Sequence, residues 1–237
     1  MWKTSGPHPK SLDGFKSNRK EGWKALNIHA ELEQKGNKIA PHIAAFVQEN
    51  PSWVPELLTE MQSPTKKAKN GAAKALRIVS EKAPELLYPH FDQLARLLGQ
   101  NDTILKWIGI DVVGNLSFVD REDKIDSGVL RPLYTFLSDR SMITASHAIE
   151  GLGKIARNKP RFRNEITREL LKTESIERSD ECRNILLGRT VLSYSTYFDK
   201  IEAKGREDII SFVCRHQSNP RNATRKKAQE FLKKLRH

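Results

Sequence analysis

Cysteine is scarce: Cys182 and Cys214 are the only two in 237 residues. They cannot build a disulfide framework, and no C-x-x-C or Cys/His spacing suggests a structural zinc site, so both read as packed thiols. Long hydrophobic runs are also missing. The most apolar stretch, residues 108–113, is broken by Asp111 and falls far short of the roughly 20 residues that span a bilayer, which excludes a transmembrane helix. The N-terminus, Met1-Trp2-Lys3-Thr4-Ser5-Gly6-Pro7, places a charge, a glycine and a proline where a secretory signal needs an apolar core of about 7–15 residues. A cytoplasmic location is therefore expected. Only 11 prolines and 13 glycines argue against a disordered chain. There is no G-x-x-x-x-G-K-S/T, no G-x-S-x-G and no H-E-x-x-H, so phosphate-loop, hydrolase-elbow and zinc-protease chemistries have no foothold. The seven histidines, His8, His29, His42, His90, His147, His216 and His237, are scattered. His147 reads as a packed or surface imidazole, and neither a metal site nor a cofactor is expected.

What is present is a chain with 38% hydrophobic and 30% charged residues, enough for one large domain or a short repeat array. The net charge of +12 would ordinarily point to nucleic acid, but its distribution matters more than its size. Residues 1–40 hold 8 Lys/Arg against 4 Asp/Glu, residues 215–237 hold 8 against 1, and residues 41–214 hold 25 against 24. Basicity is a property of the ends; the body is nearly neutral.

The periodicity of the body is helical throughout, with no sustained strand-like alternation, which predicts an all-α chain. Aligning segments that resemble "LKWIGIDVVGNL" (105–116) brings Ala72, Gly109, Ala148, Gly188 and Ala228 into register at spacings of 37, 39, 40 and 40 residues. Four residues later stand Leu76, Val113, Leu152, Leu192 and Leu232, and seven later Val79, Leu116, Ile155, Ser195 and Leu235. Those offsets trace one helix face, so they predict the buried face, with a small residue where a neighbouring helix crosses closely. A shorter amphipathic partner precedes each such helix, as in "LLYPHFDQLARLL" (86–98), with Leu87, Phe91, Leu94 and Leu98 at helical spacing. Ser63-Pro64 and Asn219-Pro220 read as caps followed by a first-turn proline, and Thr103, Ser141 and Ser179 as further helix starts. Pro51, Pro84 and Pro160 end one pair and begin the next.

A period of about 40 residues with two helices per unit is that of stacked solenoid repeats. Through "AAKALRIVSEKAP", "GIDVVGNL" and above all "AIEGLGKIARNKP", residues 38–237 resemble the HEAT-repeat, armadillo-like family. The resemblance implies a right-handed α-solenoid of about six antiparallel helix pairs, with the second helices lining the concave face. Residues 15–35 are expected to add a first helix, residues 15–237 to form a single domain, and residues 1–14 to be a flexible tail. The fourth unit, "LLGRTVLSYSTYF", departs most from the pattern.

If offsets zero, four and seven are buried, offsets minus two, two, five and nine point outward. Unit by unit they read Asn70, Lys74, Arg77, Glu81; Trp107, Asp111, Gly114, Phe118; Ser146, Glu150, Gly153, Arg157; and Leu186, Thr190, Ser193, Tyr197. The stripe is mixed rather than basic. Aromatic anchors beside small residues suit a protein segment, because they offer large contact area with little side-chain entropy to lose. The expected function is therefore a non-catalytic scaffold or adaptor that binds a protein or peptide through Trp107, Asp111, Phe118, Glu150, Arg157 and Tyr197. The alternative is that Trp107 and Phe118 simply pack between repeats.

Two enzymatic readings compete with this one. Asp111 and Glu150 hold equivalent positions on adjacent helices and could pair as acid and base, but Lys74, Asp111, Glu150, Thr190 and Glu230 share that register and read better as a ladder of contacts between repeats. The chain also has a distant resemblance to alkylpurine DNA glycosylases built from HEAT-like repeats, which implies a damaged duplex held by tryptophan and aspartate side chains. Trp107 and Asp111 lie one turn apart, yet no motif of that family aligns, and the neutral body lacks a Lys/Arg lining for phosphates. At the basic end, Ala228, Phe231, Leu232 and Leu235 are expected to dock on the preceding repeat. Arg225, Lys226, Lys227, Lys233 and Lys234 would then either cap the solenoid or contact nucleic acid, without inserting into a membrane.

Overall fold

The computed structural model describes residues 27–235, so the expected tail and the beginning of the expected first helix lie outside the described residues. Among the described residues the regular structure is entirely helical. Asn27 opens α1 (Ile28–Lys35), its side chain accepting from the Ala30 N–H at 2.9 Å. Gly36, at φ +53°, ends α1, and a short turn leads into α2 (Ala40–Glu49). A side chain at Gly36 would be strained as well as pressed against Lys67.

Helix pairs follow. In the first, α3 (Val54–Glu60) precedes α4 (Lys66–Lys82). In the second, Pro89 breaks the expected amphipathic helix into α5 (Pro84–Leu87) and α6 (Phe91–Ala95) joined by single turns, ahead of α7 (Thr103–Leu116). The four apolar residues predicted for that segment, Leu87, Phe91, Leu94 and Leu98, are all buried. The remaining pairs are α8 (Ser127–Phe136) with α9 (Met142–Asn158), α10 (Arg163–Leu171) with α11 (Asp180–Ser195), and α12 (Ala203–His216) with α13 (Asn222–Lys234). Pro51, Pro84 and Pro160 each open the chain's return directly after a second helix.

Helix starts follow local chemistry. Asp102 caps α7, accepting from Ile104 N–H at 2.8 Å, Asp126 caps α8 through Gly128 N–H at 2.8 Å, and Ser141 caps α9 through Thr144 N–H at 3.3 Å. The helices expected to start at Pro64 and Pro220 begin two residues later, so Ser63 and Asn219 accept from the Thr65 and Arg221 N–H groups and shape the entry to α4 and α13 rather than capping them.

The second helices stack on one another in sequence, α4 on α7, α7 on α9, α9 on α11 and α11 on α13, with the first helices as the other layer. This is an α-solenoid. Ala72, Ala148 and Ala228 are fully buried, and so are Gly109 and Gly188. A Cβ on Gly109 would lie 2.6 Å from Leu97 Cβ, and one on Gly188 2.6 Å from Thr224 Oγ1, so the small residues mark close crossings as expected.

The buried arc of the internal second helices is wider than three offsets, because each has a second helix on either side as well as its own partner. Gly114 and Gly153, expected to face outward, are therefore buried; a Cβ on Gly114 would meet Gly151 Cα at 3.0 Å. In the fourth unit the register moves by one residue. Val191 and Tyr194 fill the core, whereas Leu192 is 42% exposed and Ser195 is exposed. Tyr194 takes that place by packing edge-on against Phe212, centroids 5.3 Å apart, and Tyr197, 6.1 Å apart. Leu186, Thr190 and Ser193 of the expected outward stripe are buried too, the hydroxyls satisfied by the carbonyls of Leu186 and Ile149 at 3.1 Å each. In α13, Ala228 and Phe231 dock as expected, but Leu232 is only half-buried and Leu235 is 40% exposed. No helix among the described residues is long and apolar enough to cross a membrane.

Candidate functional site

The second-helix face begins as a ladder of polar contacts between repeats. Arg77 on α4 donates to Glu81 at 2.7 Å and reaches Asp111 on α7 at 3.5 Å. Asp111, nearly buried, accepts from His147 Nδ1 on α9 at 2.7 Å. The His147 ring in turn stacks on Trp107, centroids 4.7 Å apart and planes within 17°. Further along, Glu150 on α9 accepts from Arg189 on α11 at 2.5 Å, and Glu181 accepts from Arg221 at 2.9 Å. No hydrogen bond joins Asp111 to Glu150 among the described residues: each carboxylate is held by a cation or imidazole of a neighbouring repeat. Asn70, on the same face, keeps a buried Oδ1 without a hydrogen-bond partner among the described residues.

At the C-terminal ends of α4, α7 and α9 the face opens into a groove of about 490 Å³. Ser80, Glu81, Lys82, Gly114, Asn115, Phe118, Lys154, Arg157, Asn158 and, from beyond α11, Lys200 line it, with Pro84 and Glu85 of α5 on one edge. The lining is internally braced: Asn115 donates to Ser80 Oγ at 2.9 Å and accepts from Lys154 Nζ at 2.6 Å, while Asn158 donates to Ser117 Oγ at 2.8 Å. Phe118, just past the end of α7, is 75% exposed. The cations suit the negative end of the helix dipoles, but an exposed phenylalanine has no such structural use.

The six residues expected to meet a partner are thus divided. Phe118 and Arg157 come together in the groove, and Glu150 lies on the same face farther along, tied to Arg189. Trp107 is half-buried against the core, its ring covered by His147, and Asp111 sits beneath the same histidine. Tyr197 is corrected outright: it is 1% exposed, with its hydroxyl 3.0 Å from Thr167 Oγ1, because the register shift of the fourth unit turns it into the core.

No protein-family model and no curated protein matches the sequence. Solved structures do match. A designed armadillo repeat protein superposes with a TM-score of 0.59 at 17% identity, covering 91% of this chain and 93% of its own. A second, in complex with the peptide (KR)4, gives 0.61 at 15% identity over 92% and 94%. A third, computationally designed for modular peptide recognition, gives 0.60 at 16% identity over 91% and 93%. The fold is an armadillo/HEAT-like repeat solenoid.

In this armadillo-like frame the groove gathers side chains that the outward stripe did not contain: Ser80, Lys82, Pro84, Glu85, Asn115, Lys154, Asn158 and Lys200. A signal for two of them was available, since Asn115 and Lys154 each stand six residues after a small crossing position, Gly109 and Ala148. At the far end of the solenoid, Lys226, Lys233 and Lys234 are exposed, whereas Arg225 is held by the Asn219 carbonyl at 2.9 Å and by Asn222 at 3.1 Å. Lys227 is half-buried; burial, then the nearby charges of Arg189 and Arg221, pull its pKa below the ordinary lysine value.

Proposed function

We propose that this solenoid is a non-catalytic scaffold or adaptor that holds a segment of another protein on its second-helix face. The observation that carries the reading is Phe118, an aromatic side chain 75% exposed inside a braced, cation-lined groove. Exposed aromatics beside polar groups that are already positioned form the energetic centres of protein interfaces. The complex of a similar solenoid with (KR)4, and the design of another for modular peptide recognition, support an extended peptide as the form of the ligand. The engagement of Asp111 and Glu150 in separate contacts between repeats supports a binding role over a catalytic one. At the basic end we propose a cap rather than a nucleic-acid site: Ala228 and Phe231 dock, and the exposed lysines give the last helix the polar outer face that a solenoid terminus needs.

The test is affinity capture from a native extract with wild type, Phe118→Ala and Arg157→Ala, with circular dichroism as the control for folding. Both side chains are exposed, so both variants should fold as wild type. A partner retained by wild type should be lost from Phe118→Ala and weakened by Arg157→Ala. Undiminished capture by both variants would place the binding surface elsewhere.

A further inference from the structure

The groove carries more positive charge than the nearly neutral body. Lys82, Lys154, Arg157 and Lys200 line it against two carboxylates, Glu81 and Glu85. Glu81 is engaged by Arg77 at 2.7 Å. Lys154 is bound by the uncharged amide of Asn115, and Lys200 reaches only the Arg157 carbonyl, at 3.5 Å, so neither charge is neutralised by these contacts. Among the described residues no carboxylate lies within ion-pair distance of Lys82, Lys154, Arg157 or Lys200. Four cations without carboxylate partners thus converge around one exposed aromatic ring.

Building on the binding role assigned above, we infer that the groove recognises an acidic, extended protein segment. A large apolar side chain of that segment packs on Phe118, and flanking carboxylates meet Arg157, Lys200 and Lys82. Charge complementarity selects the occupant: a basic segment would face the four cations with only Glu85 left to pair with it, and like charges at close range are strongly disfavoured. Guanidinium and ammonium groups also differ in use here, Arg157 offering a planar fork for a carboxylate and the lysines point charges. The geometry favours a peptide over a nucleic acid because a phosphate backbone demands cations repeated along a track. Here they are confined to about 490 Å³, and the adjoining face carries Asp111 and Glu150.

The experiment measures fluorescence anisotropy of the full chain with a short synthetic peptide alternating glutamate with leucine, and with its lysine–leucine counterpart, across a salt series. The acidic peptide should bind more tightly than the basic one by at least about tenfold, and added salt should narrow that gap. Phe118→Ala should weaken the acidic peptide by roughly tenfold or more. Arg157→Glu combined with Lys200→Glu should abolish or reverse the preference for the acidic peptide. Both replaced side chains are exposed, and circular dichroism verifies their folding. Equal binding of the two peptides, binding of neither, or an acidic preference that survives the charge reversal would overturn the inference. A single-stranded oligonucleotide that displaces the acidic peptide at equal or lower concentration would overturn it in favour of a general polyanion site. Phe118-dependent binding of the basic peptide alone would overturn the acidic class while leaving the groove as the docking face. Capture of a native partner is scored independently, so the two readings fail separately.

Discussion

Replacing Gly109 by alanine asks whether the crossing positions are as tight as the repeat requires. A Cβ there would fall 2.6 Å from Leu97 Cβ, 3.2 Å from the Leu97 carbonyl carbon and 3.3 Å from the Leu98 nitrogen. Two of those atoms are backbone and the third is bonded directly to it, so no rotamer change relieves the contact and α7 must move away from its partner layer. Overpacking of this kind costs about 1–3 kcal/mol, and the better helix propensity of alanine returns up to about 1 kcal/mol. A net loss of about 1–2 kcal/mol should lower the melting temperature by roughly 2–8 °C in a chain of this size. Gly99→Ala is the matched control, since nothing lies within 4 Å of its Cβ and its φ is not left-handed. The same chemical change there should be neutral or slightly stabilising. Thermal and urea melts of the two variants decide the matter. A Gly109→Ala protein that melts at or above wild type, or that matches Gly99→Ala, would refute the close-crossing argument.

Lys159→Met should be among the most damaging single changes outside the apolar core. Lys159 Nζ is buried 2.7 Å from Asp120 Oδ2 and 2.9 Å from Asp123 Oδ1, and the variant strands the Asp120 carboxylate, whose side chain has no exposed surface. A loss of about 3–5 kcal/mol in urea melts is expected, partly recovered by adding Asp120→Asn. Burial alone would raise the Asp120 pKa, but hydrogen bonds from Lys159, Tyr88 and the Ile125 and Lys124 N–H groups outweigh it and hold the carboxyl below its usual range. Its stabilisation is therefore complete above the unfolded value near 3.8 and disappears as pH falls through the folded value, so Asp120→Asn should flatten the acid limb of a stability profile. His216 behaves in the same direction for a different reason: burial lowers its pKa against the opposing pull of Glu174, so the fold prefers the neutral ring. Stability should fall as pH drops below 6.5 and level off past the folded value, and melts of His216→Gln should lose that step. Tyr197→Phe removes a buried hydrogen bond to Thr167 at 3.0 Å and should cost about 1 kcal/mol in urea melts while leaving partner capture unchanged.

The parts of this architecture legible in the sequence were those governed by short-range rules. Prolines after second helices, the period of about 40 residues and the five small crossing residues each follow from backbone sterics or from one helix meeting another, and all are visible in residue identity alone. The face was harder to read, because a second helix is buried on three sides and its exposed strip is narrower than a simple amphipathic helix allows. The periodicity therefore assigns Gly114 and Gly153 to the surface, whereas they are points of close helix approach. In the fourth unit two tyrosines compete with leucine for the core, and it is tertiary packing, of Tyr194 on Phe212 and of Tyr197 on Tyr194, that takes both in while Leu192 stays out. The groove was least legible of all. Lys200 reaches it from a turn beyond α11, a tertiary fact that no local spacing encodes.

The most direct test of the binding face is site-specific photocrosslinking. A photoreactive phenylalanine analogue placed at Phe118 on the second-helix face is compared with the same analogue at Arg168, exposed on α10 of the opposite layer. With native extract, the account predicts a discrete crosslinked partner from position 118, competed away by excess unlabelled wild-type protein, and none from position 168. A partner trapped from position 168 and not from 118, or equal nonspecific labelling at both, would contradict it.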